Sequence, residues 1–261
     1  MASPILLGDE LTKSVRAQFD PVLVVLSPPR SGSTALARAF WPHPAFRWYV
    51  HEPYDLFYHQ DAGSRTVLDA LRGPVEVGRS GANGLVVKEM TFQAGRYAGE
   101  LAAAATLPVA VALRDPRLAI ESRMRQRQRA GRRPSFPHRE SGWADLVAIL
   151  EQLRANETRY VIVDTTRLRA EPEPTLMTLC ELLGLPYTAD MLTWRDAEDV
   201  QLGQLADEQS HWYDRVLRSC GLQPPTEKVP DVEDFPPPMR THVEECLEVY
   251  HDLRDDPEVL P

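Results

Sequence analysis

The sequence contains little cysteine, very little lysine and no long uninterrupted apolar run. Its three cysteines, Cys180, Cys220 and Cys246, are odd in number and show no CxxC spacing, which argues against a disulfide framework or a cysteine-ligated metal. We therefore expect reduced thiols, as in a cytoplasmic protein, and no bound metal ion. No apolar run approaches the roughly 20 residues that a membrane-spanning helix needs, and the first residues carry no secretory signal. We expect a soluble protein without a membrane partner.

Only three lysines accompany 26 arginines, a bias that is typical of genomes rich in G and C and suggests a bacterial source. The net charge of −9 argues against a general nucleic-acid binder, because phosphate backbones recruit net-basic surfaces. The charge is uneven, since residues 114–139 contain nine arginines and the chain after Glu181 is rich in acidic residues. The arginine run forms either a solvated face or a surface that attracts an anionic donor or an acidic partner.

The apolar pattern predicts strands that alternate with helices. Four short runs rich in β-branched residues are predicted as buried strands: Val22–Leu26, Leu85–Val87, Val109–Leu113 and Tyr160–Val163. Trp48–Val50 is predicted as a further short strand. Helical patterns lie between and after the strands: Ala35–Phe40, Arg96–Ala105, Pro116–Arg129, Trp143–Arg154 and residues 171–186. This alternation predicts an α/β fold, a doubly wound and mostly parallel sheet of four to five strands flanked by helices.

We predict one domain over residues 1–261, with a core at 20–187 and a helical and loop-containing C-terminal extension at 188–261. Within the extension, residues 204–219 and 239–253 are predicted as helices. The proline-rich stretch Gln223–Pro238 between them is predicted as an extended surface loop. Two segments with weak periodicity, 55–84 and 130–142, are predicted as mobile lids.

The strongest local motif is PPRSGST, which follows the first predicted strand and directly precedes a helix. This arrangement directs free backbone N–H groups and the positive end of a helix at one point, which suits an anion. Gly32 permits close backbone approach, and hydroxyl donors are added by Ser31, Ser33 and Thr34.

The loop departs from the nucleotide-triphosphate pattern G-x-x-x-x-G-K-S/T at two positions. Ser27 stands where the first Gly is expected, and Ser33 stands where the Lys is expected. Arg30 supplies a cation inside the loop instead. A phosphate-loop kinase or NTPase therefore remains only an alternative.

A second phosphate-binding element is predicted after the strand Val109–Leu113. Arg114 follows the strand at its C-terminal edge, the usual ligand side of an open α/β sheet. Asp115 suits the N-cap and Pro116 the first turn of the next helix. Ser122 lies about two turns into that helix, so a guanidinium and a hydroxyl can share one phosphate. Alone, Ser122 would be read as a packed helix serine.

Both elements resemble those of the sulfotransferases that use PAPS (3′-phosphoadenosine-5′-phosphosulfate). PPRSGST resembles the family's 5′-phosphosulfate loop, P-K/R-S-G-S/T-S/T, and R-D-P-R followed by a Ser eight positions after the first Arg resembles its 3′-phosphate element. The helix at 171–186 resembles a late segment of the family. The resemblance covers residues 20–187 and implies a nucleotide-binding core there, with PAPS as donor and PAP as product. The residues it implies for donor binding are Arg30, Ser31, Gly32, Ser33, Thr34, Arg114 and Ser122.

Sulfuryl transfer needs a base near the acceptor hydroxyl and cations near the bridging oxygen, by analogy with phosphoryl transfer. Sulfotransferases that act on protein tyrosine place a catalytic Glu after a His-Pro-x-x-Arg stretch, which resembles residues 43–47 here and favours Glu52 as the base. Extra residues precede Glu52 in this chain, so His51 is the rival base. Pro53 predicts an extended Glu52. A solvated or salt-bridged Glu52 without a catalytic role is the alternative.

The remaining catalytic candidates are cations. The resemblance puts Lys88, at the end of a predicted strand, near the substrate or the bridging oxygen, and Arg30 at the sulfuryl group. A compact ammonium follows a shifting charge better than a rigid guanidinium. Lys88 as an ordinary surface lysine is the alternative.

The acceptor is weakly determined by the sequence. Aromatic residues cluster after the first loop and line an apolar pocket or belong to the core: Trp41, Trp48, Tyr49, Tyr54, Phe57 and Tyr58. We expect a small-molecule hydroxyl acceptor, such as a phenol, a lipid-like alcohol or a secondary-metabolite scaffold, with sugars and peptides as the alternatives. A homodimer is left open, because members of the family often dimerise. The competing functions are a phosphate-loop kinase or NTPase and a nucleotide-binding module without turnover.

Overall fold

The computed structural model describes residues 8–60, 62–194, 200, 202–205 and 212–260. Their strands form one six-stranded sheet. The strands are β1 (Val22–Ser27), β2 (Phe46–His51), β3 (Val75–Glu76), β4 (Gly84–Met90), β5 (Val109–Leu113) and β6 (Tyr160–Asp164). The spatial order is β3-β2-β4-β1-β5-β6, and every pairing is parallel except that of β2 with β3.

Helices follow the strands in an alternating order. The helices among the described residues are α1 (Gly8–Arg16), α2 (Ser33–Ala39), α3 (Asp55–His59), α4 (Arg65–Arg72), α5 (Thr91–Ala94), α6 (Ala98–Ala104), α7 (Pro116–Arg129), α8 (Trp143–Ala155), α9 (Thr165–Ala170), α10 (Pro172–Leu183), α11 (Asp214–Leu217) and α12 (Pro237–Arg254). Short 3₁₀ turns occur at Gly95–Tyr97, His138–Ser141, Ala189–Leu192 and Val232–Asp234. In the described part of the chain, no helix is both long and apolar enough to cross a lipid bilayer.

The central strands are buried on both faces, which explains why their sequences are continuously apolar. Alternate residues of β1 enter two different hydrophobic clusters, with Val24 in one and Val25 in the other. Helices α1, α4, α6, α8 and α12 pack on the first cluster, and α2 and α10 pack on the second. Because side chains of a strand alternate between faces, a sheet covered on both sides needs apolar residues at every position.

The register of the sheet aligns the carboxyl ends of the central strands. Val25 pairs with Lys88 on one side and with Ala110 on the other, and His51 also pairs with Lys88. Loops that leave β1, β2, β4 and β5 therefore start from the same edge. That edge is where open α/β sheets bind their ligands.

The predicted fold class is confirmed as a doubly wound, mostly parallel α/β fold with a helical C-terminal part. The strand count is six, whereas the sequence indicated four to five. The extra strand, β3, has two exposed residues and pairs antiparallel at the edge of the sheet, so it has no apolar pattern that could predict it. Segment 55–84, predicted as a lid, contains α3, α4 and β3.

The C-terminal part packs against the core through α12 and the last residues of the chain. Helix α12 buries Met239, Val243 and Tyr250 in the cluster that α8 also joins. The predicted helix at 239–253 thus lies within α12. Of the predicted helix at 204–219, residues 206–211 lie outside the described residues, and the part from 212 contains only α11.

Replacing Leu179 of α10 by Ala should lower the free energy of unfolding by about 2–5 kcal/mol, because the side chain is fully buried and its removal leaves a cavity. Leu182, on the same helix, is 41% exposed. Leu182→Ala is the matched control and should change stability by less than about 0.5 kcal/mol. Urea unfolding of both variants measures the difference, and equal losses would contradict the packing of α10 described here.

Candidate active site

The loop between β1 and α2 is held by hydrogen bonds on both sides. Ser27 Oγ donates to Ser33 Oγ at 2.6 Å, which ties the end of the strand to the start of the helix. Thr165 Oγ1 lies 2.7 Å from the Ser31 carbonyl oxygen and 2.9 Å from that of Leu113, so it connects this loop to the end of β5. The loop is therefore fixed in shape before any ligand binds.

Glycine is required at position 32. Gly32 has φ 78°, in the left-handed region, and directly precedes α2. A Cβ atom at this position would lie 3.2 Å from Thr165 Oγ1. Since side chains are disfavoured at this φ and the space is tight, Gly32 keeps the backbone close to Thr165.

Ser31 has a buried hydroxyl with no hydrogen-bond partner among the described residues. Buried polar groups are nearly always paired, so an unpaired one indicates a group that another molecule completes. Ser33 is buried and Thr34 is half-buried at the start of α2. The hydroxyl of Ser31 is thus available to a ligand of the loop.

The two predicted phosphate elements are in direct contact. Arg30 Nε donates to Ser122 Oγ at 3.3 Å, although 92 residues separate them in the sequence. Arg114 Nη1 donates to the backbone carbonyl oxygen of Arg30 at 3.3 Å. Asp115 caps α7 by accepting from the Arg117 N–H at 2.9 Å, with Pro116 in the first turn. The structure therefore brings Arg30, Arg114 and Ser122 together at one edge of the sheet.

The guanidinium of Arg30 is poorly solvated. The pKa of Arg30 is lowered from 12.5 to about 10, chiefly by burial, with Arg114 and Arg123 acting in the same direction and Tyr213 opposing them. Arg30 Nη1 donates to the Trp212 carbonyl oxygen at 2.9 Å, and the guanidinium lies 5.8 Å from the centre of the Trp212 ring. A desolvated cation among other cations favours the binding of an anion.

Arg114 also forms an ion pair that the sequence did not predict. Its Nη2 lies 3.5 Å from Glu227 Oε1. Glu227 in turn contacts Arg169, with Nη1 at 3.2 Å from Oε2, and Arg215, with Nη1 at 3.4 Å from Oε1. The carboxylate of Glu227 therefore lies among three guanidinium groups.

A second cluster lies at the ends of β2 and β4 and is centred on Glu52. Its Oε1 accepts a hydrogen bond from Tyr213 Oη at 2.6 Å and a short, charge-assisted hydrogen bond from Lys88 Nζ. His51 Nε2 lies 3.1 Å from the same oxygen. Glu52 Oε2 is buried and has no hydrogen-bond partner among the described residues. One carboxylate oxygen is saturated, and the other is open to a proton donor.

The conformation of Glu52 corrects one prediction. The residue before a proline was expected to be extended, but Glu52 has φ 49°, in the left-handed region. Its N–H donates to the Lys88 carbonyl oxygen at 2.7 Å, and its own carbonyl oxygen accepts from the Asp55 N–H at 3.0 Å. These hydrogen bonds and the ion pair with Lys88 override the local preference. Strained backbone of this kind is concentrated at functional sites.

Both candidate bases are in their proton-accepting form at neutral pH. Burial would raise the pKa of Glu52, but the Lys88 ammonium and His51 outweigh it and hold the pKa well below its usual range. Burial and Lys88 lower the pKa of His51, against the opposing effect of Glu52. The His51 ring is enclosed, because Tyr49 Oη lies 2.5 Å from Nδ1 while Nε2 faces Glu52. Glu52 Oε2 and His51 Nε2 are both buried without a hydrogen-bond partner among the described residues, so the geometry leaves both candidate bases open.

Neither carboxyl group beside Lys88 is solvated. Glu89 is fully buried and accepts from the Tyr54 N–H at 2.8 Å and the Met90 N–H at 2.6 Å. Burial and the nearby Glu52 raise the pKa of Glu89 well above its usual value. Glu89 thus fixes the backbone between β2 and α3, and it has no arginine partner in the hydrogen bonds described.

The aromatic residues after the first loop do not form one pocket wall. Trp41 and Tyr49 belong to the cluster on one face of the sheet, and Tyr54 belongs to the cluster on the other. Trp48 and Phe57 pack against the same cluster as Tyr54. Their positions favour the core interpretation over an acceptor pocket.

Two site residues were missed from the sequence, Tyr213 and Glu227. Tyr213 is separated from Glu52 by 161 residues, and Glu227 is in the proline-rich stretch that was predicted only as a loop. The one available signal was composition, since Trp212 and Tyr213 are adjacent aromatics in a polar segment. Two adjacent aromatic residues in the sequence do not indicate which strand they will contact in the folded protein.

A group with metal-ligating side chains occurs elsewhere in the described residues. Ligand atoms of His138, His242 and Glu245 lie within 4.8 Å of one another. The two imidazole rings are stacked, with centroids 4.1 Å apart and planes at 12°. The in-plane lone pairs of stacked rings run parallel and do not converge on one point, so this geometry does not suit a shared ion.

Replacing Tyr213 by Phe should lower the free energy of unfolding by about 1.5–3 kcal/mol, because it removes a hydrogen bond to a buried, charged carboxylate. Tyr97→Phe is the control, since its hydroxyl bonds only to Arg96 at the surface, and it should change stability by less than about 0.5 kcal/mol. Chemical denaturation compares the two. A loss for Tyr213→Phe no larger than that of the control would show that the contact with Glu52 does not form.

Comparison with known proteins gives partial matches in sequence. Residues 142–236 match the model of a family described as "Sulfotransferase domain", and this segment lies after both predicted phosphate elements. The Branched-chain-amino-acid aminotransferase-like proteins 2 and 1 of Arabidopsis thaliana are 35% and 34% identical over 121 residues, which is 46% of this chain. The match covers 20% of each relative, so the chain spans about a fifth of their length.

Solved structures match over most of the chain. The sulfotransferase domain of the olefin synthase from Synechococcus PCC 7002 is 14% identical and covers 90% of this chain and 95% of its own, with a TM-score of 0.51. A mouse sulfotransferase complexed with PAP is 12% identical and covers 97% and 92%, with a TM-score of 0.53. Both share the fold described above. The chain is thus a sulfotransferase-fold protein whose residues 142–236 match the sulfotransferase domain family.

Proposed function

We propose that this chain transfers a sulfuryl group from PAPS to a hydroxyl of a small-molecule acceptor, with Glu52 as the general base. The observation that carries this proposal is the contact between the two phosphate elements, in which Arg30 bonds to Ser122 and Arg114 bonds to Arg30. Two anion-binding elements that contact each other can bind one nucleotide that carries one phosphate on its 5′ side and another on its 3′ side. ATP and 5′-AMP lack the 3′-phosphate that the second element would bind.

The 5′ end of the donor would bind at the loop after β1. Arg30, the free hydroxyl of Ser31 and the backbone of Gly32 support this assignment, together with the hydroxyls of Ser33 and Thr34 at the start of α2. The 3′-phosphate would bind at Arg114 and Ser122. Hydrogen bonds between arginine and phosphate are strong because both partners are charged and the guanidinium fork fits two oxygens.

The acceptor hydroxyl would approach Glu52 Oε2, the buried oxygen without a partner. In the structure the carboxylate is a weak base, because Lys88 lowers its pKa. The charged sulfate of the donor offers Lys88 Nζ a competing partner. As the ammonium turns toward it, the pKa of Glu52 rises and the carboxylate accepts a proton more readily.

In the transfer step, the acceptor oxygen forms a new bond to sulfur while the bond from sulfur to the 5′-phosphate oxygen breaks. The acceptor proton passes to Glu52 Oε2, and the departing phosphate oxygen keeps the electron pair. PAP leaves with one more negative charge on that oxygen, which Lys88 and Arg30 are placed to balance. Tyr213 holds Glu52 through its other oxygen, which His51 Nε2 approaches to 3.1 Å.

A nucleotide panel tests the donor. PAP should raise the melting temperature more than 5′-AMP, ADP or ATP with magnesium, because PAP alone carries both phosphates that the two elements would bind. Arg114→Ala and Ser122→Ala should lower the affinity for PAP by about tenfold or more and leave that for 5′-AMP nearly unchanged. Calorimetry measures these affinities. Preference for ATP with magnesium over PAP would favour a kinase or NTPase instead.

A comparison of two variants tests the base. With the hydroxyl compound that the wild-type chain sulfates best among phenols, alcohols and sugars, Glu52→Gln should lower kcat by about 10²–10⁴-fold. Its affinity for PAP should remain in the folded protein, because the amide keeps the shape of the side chain, although loss of the ion pair with Lys88 lowers the stability. His51→Ala should lose much less activity. Full activity of Glu52→Gln together with inactivity of His51→Ala would move the role of base to His51, and tight PAP binding without transfer to any acceptor would indicate a binding module.

A further inference from the structure

The carboxylate of Glu227 occupies a position made for a stronger anion. It is only 19% exposed and lies within 3.2–3.5 Å of guanidinium nitrogens from Arg114, Arg169 and Arg215. These arginines come from three separate parts of the chain: the end of β5, helix α9 and helix α11. Arg114 and Arg169 are mostly buried and Arg215 is 72% exposed, so tertiary structure places two buried cations and one at the rim around a single carboxylate.

The charges in this site do not balance. One carboxylate carries a single negative charge against three positive guanidinium groups. Burial lowers the pKa of Arg114, Glu227 opposes that effect, and Arg169 and Arg215 lower it further, so the arginines disfavour one another. The pKa of Glu227 lies at about 2, because hydrogen bonds from backbone N–H groups and the nearby Arg169 and Arg114 outweigh its own burial. A phosphate monoester, with a charge between about −1.5 and −2 and three oxygens, balances this cluster better than a carboxylate does.

The site also adjoins the predicted 3′-phosphate element. Arg114 contacts Glu227 through Nη2 and the Arg30 carbonyl oxygen through Nη1. One guanidinium thus links the three-arginine cluster to the loop after β1. A phosphate bound by Arg114 Nη2 would occupy the position that the Glu227 carboxylate has in this structure.

We propose that Glu227 is an internal substitute for the 3′-phosphate of the nucleotide, and that Arg169 and Arg215 join Arg114 in binding that phosphate once Glu227 is displaced. This inference rests on the proposed function for the presence of the nucleotide. It adds two ligands that the sequence motifs did not include and a competing side chain from the same protein.

Displacement of Glu227 would release the backbone that its carboxylate holds. Arg169 donates from Nε to the Gln223 carbonyl oxygen at 2.7 Å and from Nη2 to the Pro224 carbonyl oxygen at 2.9 Å, whereas Nη1 pairs with Glu227. A phosphate that replaces the carboxylate on Nη1 therefore leaves the bonds to Gln223 and Pro224 in place. The Thr226 N–H, which donates to Glu227 Oε2 at 3.2 Å, loses its acceptor.

Calorimetry with PAP and 5′-AMP tests the inference, because the two differ in the 3′-phosphate. Arg169→Ala should weaken PAP binding by about tenfold to a hundredfold and leave 5′-AMP binding within about twofold. Glu227→Gln should strengthen PAP binding by about threefold to tenfold, since it removes the competing charge. The matched controls are Arg167→Ala, an arginine on the same helix that bonds to Leu260 and Glu171, and Glu181→Gln, an exposed glutamate on α10. Both controls should bind PAP as the wild type does.

Hydrogen exchange on the wild-type chain gives a test that needs no variant. Saturating PAP should increase exchange at the Thr226 amide, whose acceptor is Glu227 Oε2, and saturating 5′-AMP should not. Unchanged or reduced exchange with PAP would overturn the inference. So would PAP affinities of Arg169→Ala and Glu227→Gln that match their controls, or a weaker affinity in Glu227→Gln.

The outcomes separate this inference from the proposed function. If the wild-type chain prefers PAP to 5′-AMP and loses that preference in Arg114→Ala, the donor assignment stands whatever Arg169 and Glu227 do. If the wild-type chain binds PAP and 5′-AMP equally, the 3′-phosphate site does not exist, and both proposals fall.

Discussion

The buried ion pair between Glu52 and Lys88 is the interaction on which the candidate active site depends. Two charges with almost no solvent exposure are tolerated only when each is paired, and removal of either leaves the other at a high cost. Their parallel strands place them side by side, since Lys88 pairs in register with His51. Tyr213 and His51 lie against the same Glu52 oxygen, Oε1, that accepts the hydrogen bond from Lys88. The second oxygen, Oε2, has no hydrogen-bond partner among the described residues, and the left-handed backbone conformation of Glu52 sets its position.

The anion-binding half of the site follows a similar principle with opposite charge. Arg30 and Arg114 are desolvated cations held by backbone carbonyl oxygens and by Ser122. Glu227 relieves part of this charge in the structure. In both halves, the buried charged groups are paired with other residues of the protein, as Lys88 is with Glu52 and Arg114 with Glu227. A charged ligand could replace such a partner, and the buried group would then stay paired. Such exchange keeps the cost of burial low in each state.

The fold and the positions of the two predicted phosphate elements at one edge of the sheet were predictable because their signals are local. Continuous apolar runs predicted β1, β5 and β6, and the Asp115-Pro116 pair predicted the start of α7. The conformation of Glu52 was not predictable, since the rule for a residue before proline is a local preference that the contact with Lys88 overrides. Tyr213 and Glu227 reach the site through tertiary packing alone, and no periodicity marks them. β3 has too few residues to form a pattern.

The contact between Tyr213 and Glu52 joins residues 161 positions apart in the chain. Closing so long a loop carries an entropy cost that must be met before the contact contributes any free energy. The sheet and the loop after β1 can form from the first two thirds of the chain, whereas the cluster around Glu52 needs a segment made much later. During synthesis the anion pocket can therefore take shape while the carboxylate of Glu52 is still without the hydroxyl that holds it. The proposed anion site would then be able to bind a ligand before the cluster around Glu52 is complete.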